Sequence, residues 1–238
     1  FFRGYLQEDD GVIVQPWAEL GVNVFTSDQV SVTPAVGIWT SLHSEKTGST
    51  GSNGMVYETD YYFRVDVAVG DFVISPIYTI YTYPNGAFES INEIGVKVAY
   101  NDAKLMESLG VKNFSLNPYA AWFLETDDGN GSEDQYGEIG IAPTFSIDAL
   151  KGVAFAVPVK VGLSVDDYYF DDDGDDTLLG YVSAGLTAGV ALPIPEKYGS
   201  WKAVAGVEFL YLAADNREAA NDDDDWQIIG KIGIVVSE

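Results

Sequence analysis

The chain has 238 residues, 47% of them apolar, with 37 acidic residues against 12 lysines and arginines, one histidine and no cysteine. A net charge of −25 argues against a nucleic-acid partner, and the lack of thiols excludes a disulfide framework or a thiolate metal site. No run of about 18 uncharged apolar residues is present to cross a membrane as a helix, and no Pro/Gly/Ser linker divides the chain, which reads as one domain.

In chain order, residues 1–7 are expected to form a partial first strand, with a signal peptide and a few mature residues expected before it. Residues 12–25 alternate Val14, Pro16, Ala18, Leu20, Val22 and Val24 against Gln15, Glu19 and Asn23. Residues 30–43 place Val32, Pro34, Val36 and Ile38 opposite Ser31, Thr33, Gly37 and Trp39, before a Gly/Ser/Thr loop at 44–54. Residues 56–69 set Tyr57, Tyr61, Phe63, Val65 and Val67 against Glu58, Asp60, Tyr62, Arg64 and Asp66. A soluble core could not tolerate that second face. Gly70-Asp71 is a two-residue hairpin signal, and 72–83 returns to Pro84-Asn85-Gly86. Residues 89–101 follow, then a connection at 102–113 with a helical turn at 103–109. Strands at 114–125, 136–147, 153–165, 178–192, 202–212 and 226–236 complete a set of twelve.

The segment 153–165 shows the pattern most plainly: Val153, Phe155, Val157, Val159, Val161, Leu163 and Val165 share one face, opposite small residues and Lys160. Soluble strands run about 5–6 residues, whereas a tilted bilayer-crossing strand needs about 9–11. The expectation is therefore all-β: a transmembrane up-and-down antiparallel β-barrel of about 12 strands in a bacterial outer membrane. Alternate connections are compact, with 102–113 the only longer one, and the others are longer or acidic, as short periplasmic turns and long outer loops would be, with both termini on the periplasmic side. Segments 125–134, 166–176 and 215–225 hold 18 of the 37 acidic residues. Tyr57, Tyr83, Tyr136, Trp226 and Tyr168-Tyr169-Phe170 are expected in an outer aromatic belt, and Phe25, Phe72, Tyr100, Phe114 and Trp201 in an inner one. Pro16, Pro34, Pro76, Pro118 and Pro143 within strands count against this reading unless bulges absorb them.

Several motifs in order, Phe2-Arg3-Gly4-Tyr5-Leu6-Gln7, Gly37-Ile38-Trp39, Glu58-Thr59-Asp60-Tyr61 and Tyr81-Thr82-Tyr83-Pro84 followed by Glu93 and Gly95, resemble the TorF-type porin family. The resemblance covers the first 100 residues or so. It implies an outer-membrane barrel and a pore, and it supplies no solute. The chain departs from many barrels in ending Val235-Val236-Ser237-Glu238, without a terminal aromatic residue.

Inward charge is the first candidate site: Glu58, Asp60, Arg64 and Asp66, with Glu19, Glu93, Lys97, Glu138, Lys160, Lys202, Glu208 and Lys231 from other strands. Such a set either filters ions in a narrow pore or plugs the barrel as a salt-bridge network. Small inward residues, including Gly162, Gly185, Gly189, Ala154 and Ala156, are expected to leave space. The second candidate is Asp171, Asp173 and Asp175, an oxygen-only group suited to Ca²⁺ or Mg²⁺; the EF-hand pattern fails because Val182 stands where a glutamate is required. Solvated acidic loops are the alternative. The third is Ser41 with His43, which at i, i+2 on a strand are expected about 6–7 Å apart, too far for a nucleophile and its base. No resident cofactor and no enzymatic step is expected. The favoured function is a channel for ions or small solutes; the alternative is a non-conducting surface barrel whose acidic loops hold divalent cations or a partner. Lipid and lipopolysaccharide would surround either one. A homo-oligomer is compatible with the class, although no single flat apolar face singles it out.

Overall fold

Alternation of apolar and polar residues makes most of the described residues β-strand. The computed structural model describes residues 1–8, 11–45, 55–127, 133–147, 149–150, 152–215, 221 and 224–237. Its strands are β1 (Ile13–Val14), β2 (Trp17–Gly21), β3 (Phe25–Thr26), β4 (Val30–His43), β5 (Val56–Val69), β6 (Phe72–Thr82), β7 (Ile91–Tyr100), β8 (Phe114–Ser115) and β9 (Tyr119–Asp127). They continue with β10 (Gln135–Ile141), β11 (Thr144–Ser146), β12 (Val153–Ala156), β13 (Val159–Asp166), β14 (Leu179–Ala191), β15 (Ser200–Leu212) and β16 (Trp226–Ser237). All belong to one antiparallel sheet. An α-helix, α1 (Ala103–Ser108), stands where the helical turn is expected.

Sixteen elements correspond to eleven of the twelve expected strands, because four of those are divided. Pro16, Pro118, Pro143 and Pro158 each fall in a break, between β1 and β2, β8 and β9, β10 and β11, and β12 and β13. A proline cannot donate to the ladder. Within β6, Pro76 pairs with Val96 of β7, but pairing with β5 lapses between Arg64–Ile77 and Val67–Ile74. The breaks are the expected cost of these prolines and leave the up-and-down order intact.

Residues 1–7 do not form a strand of the wall. Phe2 and Tyr5 pair with each other, and Arg3 (φ 47°) and Gly4 (φ 81°) between them take the left-handed conformations of a two-residue hairpin turn. This small turn lies against the inner face of the sheet. It meets Glu58 of β5, Glu93 of β7, Phe123 of β9, Tyr136 of β10, Tyr181 of β14 and Leu212 of β15. Flat, strands spaced about 4.8 Å apart could not bring β5 and β15 to the same seven residues. The sheet is curled into a barrel around them. Among the described residues β16 pairs with β15 alone and β1, β2 and β3 with β4 alone, so a seam lies between these edges.

The strand ends joined through 27–29, 70–71, 101–113, 147–152 and 192–199, all short but 101–113, lie at one end of the barrel, here the turn end; the strand ends that flank the long acidic segments lie at the other, the loop end. The principal buried cluster is inside the loop end: Tyr136, Tyr168, Tyr169, Tyr181, Leu210, Leu212 and Ala214. The outer face carries exposed Leu20, Val36, Phe63, Ile74, Ile94, Ile139, Phe209 and Ile228.

Candidate functional site

Alternation on β5 aims Glu58, Asp60, Tyr62, Arg64 and Asp66 inward, and their partners come from the strands on either side. Midway along the wall Arg64 Nη2 donates to Glu19 Oε1 of β2 at 3.1 Å and to Asp66 Oδ2 at 3.1 Å. Tyr62 donates to Glu19 at 2.9 Å and Ser75 of β6 to Asp66 at 2.6 Å. Arginine's planar fork lets one cation satisfy two carboxylates. Gly37 on β4 makes room for this group, since a Cβ there would overlap the Tyr62 ring.

Toward the loop end the carboxylates outnumber the cations of the wall, and the N-terminal turn supplies what is missing. Arg3 grips Glu93 with both amino groups, Nη1 to Oε2 at 2.6 Å and Nη2 to Oε1 at 3.0 Å, and its Nη1 lies 3.8 Å from Glu125. Its guanidinium carbon sits 4.3 Å from the Tyr136 ring centre, 4.7 Å from Phe123 and 5.6 Å from Tyr168. Side-chain exposure is 7% for Arg3 and 1% for Glu93, so the pair is cut off from solvent. Gln7 donates to Glu58 at 3.0 Å, and Tyr81 donates to Glu93 at 2.9 Å.

A third group centres on Glu138 of β10, which accepts from Tyr119 at 2.7 Å, Tyr136 at 2.7 Å and Tyr181 at 3.1 Å, with Lys160 at 3.7 Å. Lys97 lies 4.0 Å from the Tyr119 ring centre. Beside it Glu208 of β15 accepts from Ser183 at 2.7 Å and from Lys231 of β16. Eleven of the twelve expected interior residues thus enter these networks or border them. Lys202 does not; it is exposed near the turn end of β15.

Sequence reasoning missed the residues that close the loop end. Tyr57, Tyr136, Tyr168 and Tyr169, expected in an outer belt, are buried inside. Tyr57 is turned by a register shift opposite Ser41 and Leu42, and its ring stacks on His43 at 4.7 Å. Tyr169 covers Gly180, and its hydroxyl donates to the Arg3 carbonyl at 3.1 Å. Gly162, expected to leave space, is covered by the ring of Tyr181. The available signal was the pairing of glycines with tyrosines on neighbouring strands, together with Arg3-Gly4 as a turn dipeptide.

The separation expected for Ser41 and His43 is corrected: Ser41 Oγ lies 2.8 Å from His43 Nε2, because both side chains lean toward each other at the bulge. Glu8 Oε2 is 4.0 Å from His43 Nδ1. Ser41 is 0% exposed and the pair faces the interior, away from lipid. At the metal candidate, Asp171 spends a carboxylate oxygen on the backbone N–H groups of Asp173 and Asp175, at 3.1 and 2.9 Å. No three carboxylates or histidines converge on a metal position among the described residues. Parts of the neighbouring acidic segments, including Asp222 and Asp223, lie outside the described residues.

The wall also encloses open space in at least two places. One of about 640 Å³ opens at the turn end among Ala154, Ala156, Thr187, Gly189 and Val204, with Glu107 of α1 among its lining residues. The other, about 610 Å³, lies at the seam, between Ile13 of β1 with the adjoining Gln15 and Gln227 to Ile232 of β16, with Lys160 and Glu208 on its inner wall. The interior is therefore hollow at the turn end and along the seam, where Phe1, Arg3 and Gly4 line the second cavity, and is filled at the loop end by the cluster around Tyr136 and Tyr169.

No family model matches the chain, and no curated protein matches it. Among solved structures, one of the NanC porin in a rhombohedral crystal form aligns with 95% of this chain and 97% of its own, at 11% identity and a TM-score of 0.46.

Proposed function

We propose that the protein is a porin-like channel of a bacterial outer membrane, passing ions or small solutes along its charged interior, and that residues 1–7 hold its loop end closed in the conformation described. The observation that carries this reading is the inverted distribution of the side chains. Large apolar residues such as Leu20, Phe63, Ile94 and Ile228 cover the outer face, while Glu19, Arg64, Asp66, Glu138 and Glu208 are paired within. A wall of that kind suits lipid outside and water inside. The hollow at the turn end supports a water-filled path, and the carboxylates aimed inward further along the wall, Glu19, Glu58, Asp60, Asp66, Glu93, Glu138 and Glu208, favour cations within it.

Such a channel works without a chemical step. Solute selection would come from bore and from the field of Asp60, Asp66 and Glu93. The test is planar-bilayer conductance of the purified protein, intact and with residues 1–7 deleted. Larger cation-selective openings after deletion are expected, with selectivity reduced in Asp66→Asn. Absence of current from both forms would remove the channel reading and leave the second one, a non-conducting surface barrel. That reading draws on the buried tyrosine cluster filling the loop end.

A further inference from the structure

The pocket that holds Arg3 is built by the wall, and its occupant is not. Glu93 belongs to β7, Phe123 and Glu125 to β9, Tyr136 to β10, and Tyr168 follows β13. All but Tyr168 are held by the antiparallel ladder from β7 to β13. The occupant belongs to a seven-residue turn whose only strand-like pairing is internal, Phe2 with Tyr5. Two acids, a phenolic hydroxyl and two ring faces around one planar cation are the chemistry of a guanidinium receptor: a bidentate carboxylate, the Tyr168 hydroxyl accepting from Nη1 at 3.2 Å, and the π faces of Tyr136 and Phe123. An ammonium ion fills such a fork less well, because it cannot present two parallel N–H donors to one carboxylate.

Electrostatics gives the pocket a reason to be refilled. Among the described residues Arg3 is the only cation within ion-pair distance of Glu93, which is almost fully buried. If the turn withdraws, Glu93 keeps the Tyr81 hydroxyl but loses its counter-charge, which water replaces less well than a fitted cation flanked by aromatic rings. A mobile cation of matching shape restores it.

We propose that this pocket is a binding site for solutes bearing a guanidinium group, occupied by Arg3 in the closed conformation and by the solute once residues 1–7 leave the interior. Its role in permeation rests on the channel reading; its binding chemistry does not.

The probe is methylguanidinium, with methylammonium as the control cation, titrated calorimetrically into the protein in detergent micelles. Arg3→Ala is expected to bind methylguanidinium at least about tenfold more tightly than methylammonium, since only the former engages a carboxylate bidentately. Adding Glu93→Gln to Arg3→Ala should abolish that preference, and the intact protein should bind the probe more weakly than Arg3→Ala. Equal binding of the two cations, no binding, or indifference to Glu93→Gln would overturn the proposal. If Arg3→Ala does not fold unaided, refolding yield is measured with each cation. Recovery with methylguanidinium alone supports the site, and failure with both overturns it. In bilayers, a current through Arg3→Ala that methylguanidinium blocks joins site and pore. Binding without any current would sink the channel and keep the site; a current with no binding would do the reverse.

Discussion

At Glu138 three phenolic hydroxyls and one ammonium group converge on a carboxylate inside the barrel. Hydrogen bonds to a charged acceptor are worth about 1.5–3 kcal/mol each in the net, and losing the charge weakens all of them together. Glu138→Gln is therefore expected to lower stability by about 2–4 kcal/mol on that scale, read from urea unfolding in micelles. Tyr136→Phe, which removes the hydroxyl shared by Glu138 and Tyr181 and leaves the ring in place, should cost about 1–2 kcal/mol on the same scale. The inward aim of Glu58, Arg64 and Asp66 was legible from alternation alone. The identity of their partners was not, because a period of two states which face a side chain occupies and not how far along the wall its neighbour lies. Arg3 was the largest omission. In Phe2-Arg3-Gly4-Tyr5 the alternation of apolar and polar residues imitates a strand, and only the Arg-Gly pair, able to adopt positive φ as a hairpin turn, distinguishes it.

Among the elements, the connection between β7 and β8 has the clearest local logic. Asp102 precedes α1 but does not cap it with its side chain; its carboxylate instead accepts from the backbone N–H groups of Leu116 (2.9 and 3.0 Å) and Asn117 (2.9 Å) beyond β8. Burial pushes the Asp102 carboxyl up, but the bonds from Asn117 and Leu116 outweigh it and hold the group below the usual carboxylate range. A depressed native value means a contribution to stability that is complete above the unfolded value, about 3.9, and is lost as pH falls through the native one. Asp102→Ala should cost about 1–3 kcal/mol at neutral pH, the range for unpaired backbone donors. The gap between wild type and variant should close in unfolding curves recorded below about pH 4, where the unfolded aspartate protonates. The positions of the strands were well marked by their apolar alternation, and so were the short connections. Their divisions were only half marked. Pro16, Pro118 and Pro143 signalled trouble, whereas the register shift that turns Tyr57 inward depends on how Ser41 and Leu42 meet β5, which no local pattern reveals.

For the whole molecule, one end filled and the other hollow makes the closed state a property of a few side chains. Gly4→Val should disturb it from the occupant's side. Gly4 has φ 81°, which a β-branched residue adopts only with strain, and an added Cβ would lie 3.3 Å from the Tyr181 ring. Its expected effect is more frequent opening in bilayer recordings, with the ladder intact by far-ultraviolet circular dichroism. The barrel itself was readable because strand length and inward charge agree; the filled end was not, since Tyr168 and Tyr169 near a strand end suit an interfacial belt as well as an interior.

The seam has a consequence for proton exchange with solvent. In a strand bonded on both sides, as β15 is between β14 and β16, successive amides point to opposite neighbours and all are sheltered. In β16 only every second amide meets β15; the others point across the cavity toward β1. Deuterium uptake along 226–237 should alternate residue by residue, slow then fast, while 200–212 stays uniformly slow. Among the described residues the eleven up-and-down strands leave the first and last running in the same direction, so a direct zip between β16 and β1 would need a parallel ladder in a wall that is otherwise antiparallel. A uniform slow rate along 226–237 would mean that such a ladder, or another strand, occupies the seam in solution.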